Sequence, residues 1–394
     1  MNVFRPGLLM VALASFGLLT LGLGDGMLGV AWPSISAGAG VPLSALGLLV
    51  PVFAAAYITV ALASGRLSDW LGVGGILIAG AALLVAGLLV FAASSNWGLL
   101  LTSAWIAGMG GGALDSGFNT YAAERLGIRA TNWIHAFYGV GAVTGPSVMT
   151  GLLVWGRPWQ TGYVISATVA GVLALGILAS RRGWRINGPS NSPGASLPTA
   201  SSRSGIWLGA ALFAVCTGLE VSAGQWTFTL LTVGRGFTVA SAGAWVAAYF
   251  AGFTAGRILV GTLPIRVPAQ KVLRACTVAS LLSAGLLWLN LGAASSLIGV
   301  VGLGLFLGPV FPSLVATTRA RIGEGSTSSA IGFQLAAAGA GGMIVPAGVG
   351  VALAVGGFEA IASSIVGAAA ALAALHEIAA RRSHRLSSRG APSV

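Results

Sequence analysis

Acidic side chains within apolar runs are the residues of this sequence that could do chemistry. The chain has 8 Asp and Glu residues, and Asp25, Asp115 and Glu220 lie well inside long apolar stretches. An aspartate at the centre of a bilayer costs about 2.5–3.5 kcal/mol on insertion scales, so such an acid marks a functional site by default. A carboxyl group held partly out of water can bind and release a proton as its surroundings change. We expect at least one of the three, foremost Asp115, to couple proton movement; the alternative is a neutral, hydrogen-bonded structural acid.

Asp115 has a polar neighbour four positions further along the chain. Asn119 follows it in the glycine-rich stretch from Gly108 to Gly127. Residues spaced i, i+4 share one face of a helix, so the carboxylate and the carboxamide should lie next to each other.

Several amide and aromatic side chains could line a binding cavity. Amides form directed hydrogen bonds with hydroxyl groups, and aromatic rings stack on the apolar faces of sugars. Tryptophan is also a common anchor at membrane interfaces, which is the alternative interpretation for the indoles. The candidate substrate-binding residues are Asn119, Gln225, Trp226, Gln334, Tyr138, Trp32 and Tyr249.

Composition identifies the class of protein that must hold these residues. Hydrophobic residues make up 56% of the chain, charged residues 7%, and the mean hydropathy is +0.91. Soluble domains are about 25% charged, so the chain is a polytopic membrane protein. The net charge of +12 does not indicate nucleic acid, because the basic residues fall between apolar runs. Cys216 and Cys276 lie inside apolar runs and are expected to be buried and unpaired.

Apolar runs long enough to cross a membrane recur along the whole chain. A spanning helix needs about 20 residues. The sequence therefore predicts an all-α membrane protein with twelve transmembrane helices in two pseudo-symmetric bundles of six. The predicted spans are 7–31, 44–65, 74–95, 97–122, 132–156, 160–180, 206–232, 240–262, 269–291, 294–318, 328–354 and 357–380.

A polar break divides the twelve spans into two groups of six. We predict an N-terminal bundle over residues 1–180, a cytoplasmic linker over 181–205, a C-terminal bundle over 206–380 and a cytoplasmic tail over 381–394. The two groups resemble repeats at an offset of 196 positions, at which Glu124-Arg-Leu-Gly meets Ala320-Arg-Ile-Gly. Parallel repeats of this kind place a shared cavity near the bilayer midplane.

Basic residues predict the orientation of the chain. Of the 20 Lys and Arg residues, only Arg157 and Arg235 fall in outer segments if the N-terminus is inside, and Arg257 lies within the eighth span. Positive residues favour the cytoplasmic side, so both termini are expected there. We expect the chain in a bacterial-type inner (plasma) membrane.

The segment between the second and third spans carries a family motif. Gly65-Arg66-Leu-Ser-Asp69-Trp-Leu-Gly72 resembles the G-x-L-x-D-x-x-G signature of the major facilitator superfamily of transporters. The usual basic residues downstream are replaced by Val73 and Gly74. The resemblance covers nearly the whole chain and implies rocking of two six-helix bundles, with a gating role for Gly65, Arg66, Asp69 and Gly72.

The gate would include partners elsewhere in the chain. We expect Asp69 to latch onto the helix N-terminus after Ser326-Thr-Ser-Ser329, where a carboxylate is favourable by about 0.3–1 kcal/mol. Arg257 either extends to the cytoplasmic surface or pairs with an acid in the gate. His135, in the first turn of the fifth predicted helix, is a minor gating candidate.

A narrower resemblance links the chain to the fucose and glucose proton-symporter group. It is carried by Gly24-Asp25-Gly26 through Trp32-Pro33, by Asp115 to Asn119 with His135-Ala-Phe-Tyr138, and by Gly218-Leu-Glu220. This resemblance implies proton coupling by acids in the first and fourth helices, and carries over to Asp25, Asp115 and Asn119.

The sequence therefore predicts a secondary transporter and not an enzyme. It contains no ATP-binding motif, metal cluster or catalytic triad, so we expect no cofactor. The expected partners are a small polar solute such as a monosaccharide, protons and the lipid bilayer, and the protein is expected to be monomeric. The first alternative is a proton-driven multidrug or metabolite exporter of the same fold. The second is a polytopic membrane enzyme.

Overall fold

The computed structural model describes residues 7–126, 128–184, 203–262, 268–318 and 327–389. Within these ranges all regular structure is helical and no strand occurs. The prediction of an all-α membrane protein is confirmed.

The described part of the chain forms five helices up to residue 180 and seven from residue 203 onward. The first group contains α1 (Leu8–Ala39), α2 (Leu46–Ala93), α3 (Trp97–Arg125), α4 (Ile128–Val154) and α5 (Gln160–Ala179). The second group contains α6 (Arg203–Thr229), α7 (Val239–Thr262), α8 (Ala269–Leu289), α9 (Ala293–Leu307), α10 (Val310–Ala316), α11 (Thr327–Gly356) and α12 (Glu359–Arg389). Short 3₁₀ turns form at Leu43–Ala45 and Arg181–Trp184, and a π-helical turn forms at Leu230–Gly234.

The described residues contain 11 helical stretches that are long and apolar enough to cross a membrane. One of them, Leu43–Ala93, has 51 residues and is long enough for two crossings. It contains α2, whose backbone leaves the helical region at Gly72 (φ 69°, ψ 162°). The break separates two spans, which brings the number to the predicted twelve.

The family motif is helical and does not form a loop. The sequence predicts that the second span ends at residue 65, whereas α2 is helical through Leu71 and changes direction at Gly72. The positive φ at Gly72 lies in the left-handed region, which glycine adopts readily because it has no Cβ atom. A single glycine therefore replaces the expected connection.

Helix α1 extends further than the apolar run alone predicts. It continues through Pro33 to Ala39, beyond the predicted end at residue 31. Prolines are tolerated in transmembrane helices because neighbouring groups satisfy the freed carbonyls. The helix ends at Gly40 in the left-handed conformation, and Val41 N–H bonds the Ser36 carbonyl, as in a Schellman cap.

The span over Ala293–Ala316 is discontinuous. Helix α9 ends at Leu307, and α10 begins at Val310 after Gly308-Pro309. Proline has no N–H group to continue the helical ladder. The carbonyls near this break therefore need partners from outside their own helix.

Contacts between Cα atoms divide the chain into two compact units. One holds the described residues of Met1–Pro193 together with Gly236–Ala247. The other holds those of Gly194–Arg235 and Ala248–Val394.

Close helix packing recurs at equivalent positions of the two units. The helices approach so closely that a Cβ atom on any of four glycines would collide with a facing carbonyl oxygen, and small residues permit such approach in membrane proteins. These contacts repeat at the offset of 196 positions found in the sequence: Gly108 with Phe53 and Gly304 with Tyr249, then Gly112 with Tyr57 and Gly308 with Phe253.

Other parts of the sequence repeat fall outside the described residues. Gly127 and residues 320–323, which belong to the Glu-Arg-Leu-Gly match, are among them. Both cysteines are buried and free, as the sequence predicts.

Candidate functional site

A chain of hydrogen bonds links α3 to α4. Asn119 Nδ2 donates to Asp115 Oδ1 at 3.0 Å, which confirms that the two side chains share one helix face. Nε2 of His135 lies 3.0 Å from Asn119 Oδ1. Because the amide oxygen can only accept, Nε2 must carry the proton in this arrangement. The amide of Asn119 thus bridges an imidazole and a carboxylate.

Local structure fixes this chain of contacts. Asn96 caps α3 by accepting a hydrogen bond from Leu99 N–H, which sets the start of the helix that carries Asp115. Helix α4 begins at Ile128, four residues before the predicted start at residue 132. His135 therefore lies further inside its helix than predicted and contacts Asn119.

Helix α2 places a tyrosine near Asp115. Tyr57 interacts electrostatically with the Asp115 carboxyl group. The close approach of α2 to α3 requires glycine, because a Cβ atom at Gly112 would collide with the Tyr57 carbonyl oxygen. The sequence analysis did not include Tyr57 among the candidate functional residues. A hydroxyl group inside an apolar span, on one of only 5 tyrosines, could have indicated it.

Asp25 forms a second pair in the same unit. The Tyr138 hydroxyl on α4 donates to Asp25 Oδ2 at 2.8 Å. Asp25 and Asp115 are close enough to interact electrostatically. Both carboxyl groups are half-buried, as are Tyr57 and Asn119.

Glycines bring α1 and α4 together around this pair. A Cβ atom at Gly22 would collide with the Tyr138 carbonyl oxygen, and one at Gly141 would collide with that of Leu19. The two backbones can therefore approach directly, which places the Tyr138 hydroxyl against Asp25.

Glu220 belongs to a different cluster, in the second unit. It is half-buried on α6, and its backbone carbonyl accepts a 3.1 Å hydrogen bond from the Tyr249 hydroxyl. Cys216 and Tyr249 each interact electrostatically with both Glu220 and Arg257. The structure thus groups one predicted proton-coupling acid with one predicted gating cation.

The indoles of the predicted binding residues are engaged by backbone. Trp32 Nε1 donates to the Leu43 carbonyl at 2.7 Å, and Trp226 Nε1 donates to that of Pro346 at 3.2 Å. Both side chains are fully buried. Their polar groups therefore tie neighbouring segments together, and their contribution to substrate binding stays a prediction.

The two predicted glutamines are also buried. Gln225 is 8% exposed on α6. Gln334 is fully buried on α11, and its Oε1 accepts a 2.9 Å hydrogen bond from Thr318. Their contribution to substrate binding likewise stays a prediction.

The predicted gating residues lie along the break in α2 and elsewhere. Arg66, Asp69 and Gly72 are exposed, and Gly65 is half-buried. Ser326, the first residue of the predicted cap that would face Asp69, lies outside the described residues.

The first unit thus groups two carboxyl groups with polar side chains of neighbouring helices. Asp115 accepts a hydrogen bond from Asn119 on α3, Asp25 accepts one from Tyr138 on α4, and the exposed imidazole of His135 contacts Asn119. Among the described residues, no three His, Cys, Asp or Glu side chains form a group that could hold a metal ion.

Similarity to solved structures supports the same architecture. The structure matches a variant of the nucleoside transporter NupG with a TM-score of 0.79 and 14% identity, over 94% of this chain and 99% of that one. It matches a variant of the E. coli fucose:proton symporter FucP with a TM-score of 0.62 and 18% identity, over 96% and 99%. For a variant of the peptide transporter POT the TM-score is 0.75 and the identity 14%, over 98% and 97%. At such identities these likenesses concern the fold alone.

Sequence comparison with family models assigns the family. No curated protein matches the chain significantly. The model that describes the Major Facilitator Superfamily matches residues 14–346, which is most of the sequence. Proteins of this family are membrane transporters and not enzymes. With its helical membrane fold and the motif that ends at Gly72, the chain belongs to the Major Facilitator Superfamily.

Proposed function

We propose that the protein is a secondary active transporter that moves a small polar solute together with protons by alternating access. The observation that carries this proposal is the half-buried carboxyl group of Asp115, which lies inside an apolar helix and accepts a hydrogen bond from Asn119. An acid kept at such a position at high cost is typical of a proton or substrate pathway.

Protonation of Asp115 would change what Asn119 can do. An ionised carboxylate only accepts hydrogen bonds, and it holds the Asn119 amide N–H groups strongly. A neutral carboxyl group accepts more weakly, so the amide becomes available to a hydroxyl group of the solute. Binding of the proton and binding of the solute then favour each other, as symport requires.

A monosaccharide fits the chemistry of the groups around Asp115 and Asp25. Asn119 supplies both a donor and an acceptor, and Tyr57 and Tyr138 supply hydroxyl groups on aromatic rings. The fold likeness to a protein described as a fucose:proton symporter agrees with this class. We propose that Asn119, Tyr138 and Trp32 of the first unit are substrate-binding residues. We propose the same role for Gln225, Gln334, Tyr249 and Trp226 of the second unit.

Transport into proteoliposomes tests the coupling role of Asp115. With a proton gradient imposed by a pH jump, the wild type should concentrate its substrate, whereas Asp115→Asn should lose uphill uptake and keep exchange down a solute gradient. Glu124→Gln is the matched control, because Glu124 is an exposed acid near the end of the same helix. Uphill accumulation by Asp115→Asn at the wild-type level would defeat the proposal.

The gate is part of the same proposal. We propose that Asp69 latches onto the N-terminus of α11 in the outward-open state, with Gly65, Arg66, Gly72, Arg257 and His135 as further gating residues. Single cysteines at Ser68 and Ser328, probed from each side of the membrane, should change accessibility when Asp69 is replaced by Asn. Unchanged accessibility would rule out the latch.

The topology is a further part of the proposal. We propose a monomer in a bacterial-type inner membrane with cytoplasmic termini, and two bundles (residues 1–180 and 206–380) joined by a cytoplasmic linker.

A further inference from the structure

Arg257 on α7 points away from the nearer end of its helix. Its guanidinium carbon lies 4.3 Å from the centre of the Phe253 ring, one turn closer to the N-terminus of α7. Helical side chains lean toward the N-terminus, and a cation over an aromatic face is attracted by the negative face of the ring. The cation is thus held over the interior of the span, and it does not extend toward Thr262.

A carbonyl group freed by proline holds the same guanidinium. In a continuous helix the Gly308 carbonyl would accept from the N–H group of residue 312, which is Pro312 and has none. Arg257 Nε donates to this carbonyl instead, at 3.1 Å. The break between α9 and α10 therefore provides a fixed acceptor for one edge of the guanidinium.

The remaining edge of the guanidinium is available. Among the residues that the structure describes, none accepts a hydrogen bond from the two terminal nitrogens of Arg257, and the side chain is exposed. A charged group exposed within an apolar span is typical of a water-filled cavity. Two parallel N–H groups of arginine match the two oxygens of a carboxylate.

Glu220 is the acid that would compete for this cation. Helices α7, α9 and α10 carry no acidic residue, and Glu220 on α6 shares the neighbours Cys216 and Tyr249 with Arg257. A bound anion and an ionised Glu220 would repel each other, so removal of the Glu220 charge should strengthen anion binding.

We propose that Arg257, held by Phe253 and Gly308, binds the carboxylate group of a small organic anion. The inference narrows the proposed function, since it makes the transported solute a carboxylate such as a sugar acid. Binding itself does not depend on proton coupling, so the two proposals can fail separately.

Calorimetric titration of the purified full-length protein in detergent tests the site. The probes are glucuronate, lactate and benzoate, each paired with its neutral counterpart glucose, glycerol or benzyl alcohol. We expect at least one anion to bind more tightly than its counterpart. In Arg257→Gln its affinity should fall about tenfold or more, and in Arg257→Lys it should fall less, because lysine cannot form the bidentate pair.

Two further variants sharpen the result. Arg157→Gln removes an exposed positive charge in another part of the chain and should leave anion affinity unchanged. Glu220→Gln should increase the affinity for the anion, because it removes the competing negative charge. The proposal is overturned if no anion is preferred over its neutral counterpart, if preference survives in Arg257→Gln, or if Arg157→Gln lowers affinity as much.

The same protein in proteoliposomes separates this inference from the proposed function. Anion binding that depends on Arg257, without uphill uptake on a proton gradient, would support the anion site and contradict proton coupling. Proton-driven uptake of a neutral sugar that is unaffected by Arg257→Gln would support proton coupling and contradict the anion site.

Discussion

The Tyr138 hydroxyl donates a 2.8 Å hydrogen bond to Asp25 Oδ2, joining two helices whose contacting residues lie 113 positions apart in the chain. A hydrogen bond to a charged group contributes about 1.5–3 kcal/mol. This hydrogen bond therefore helps to hold α1 and α4 together.

A double-mutant cycle measures this link. Tyr138→Phe removes the donor and Asp25→Ala removes the acceptor, so the combined variant should lose much less stability than the sum of the single losses. The measurement is the melting temperature in one detergent. Tyr138→Phe combined with Asp69→Asn should be additive, because Asp69 is exposed at the break in α2. Additivity for Tyr138 with Asp25 would contradict the hydrogen bond.

Two glycines of α4 should respond in opposite ways to the same change. A methyl group at Gly141 would collide with the Leu19 carbonyl oxygen, whereas at Gly151 no heavy atom lies within 4 Å. We expect Gly141→Ala to destabilise the protein by about 1–3 kcal/mol through overpacking. Gly151→Ala should be neutral or stabilising by up to about 1 kcal/mol.

Thermal melting of the two glycine variants side by side provides the measurement. A second readout is uptake activity, which should fall in Gly141→Ala because Asp25 and Tyr138 are drawn apart. If both variants melted like the wild type, the close approach of α1 and α4 would be wrong.

Two ion pairs of the second unit should differ in strength. The Arg235 side chain is 3% exposed and that of Glu359 is 52% exposed. The guanidinium donates to both oxygens of Glu359, at 2.9 and 2.8 Å, while its third nitrogen donates to Ser296. Arg274 and Glu377 also pair, but their side chains are 56% and 34% exposed. Glu359→Gln should cost about 1.5–3 kcal/mol, because it leaves a buried guanidinium poorly paired. Glu377→Gln should cost about 0–1 kcal/mol.

Melting temperatures at low and high salt test this difference. The cost of Glu377→Gln should shrink as salt screens the exposed pair, whereas that of Glu359→Gln should persist. Equal costs for the two variants would show that burial of Arg235 does not strengthen its pair.

The two glycines of the family motif provide another contrast. Gly72 has φ +69°, and Gly65 lies in the helix with no heavy atom within 4 Å of an added Cβ. Gly72→Ala should cost about 1–2 kcal/mol, because an L residue avoids the left-handed region. Gly65→Ala should stabilise the helix by about 0.5–1 kcal/mol. The check is thermal melting, and a neutral Gly72→Ala would argue for a continuous helix at this point.

Chain length and hydropathy were sufficient to predict the membrane helices. Each crossing must bury about 20 apolar residues and satisfy its own backbone, so the number of spans follows from composition along the chain. The contact between Asp115 and Asn119 was also predictable, because it is local to one helix. Helix ends were less predictable: α1 passes Pro33, and α2 passes residue 65, since neither is decided by hydropathy.

Contacts between helices were decided only by the tertiary structure. Glycines and prolines set how closely particular helices pack and which carbonyls are left free. Tyr138 therefore reaches Asp25, His135 reaches Asn119 and Arg257 reaches the Gly308 carbonyl. A periodic pattern describes one helix at a time and does not specify the face of its neighbour. The sequence by itself thus determined which residues enter the membrane, while packing decided which of them meet.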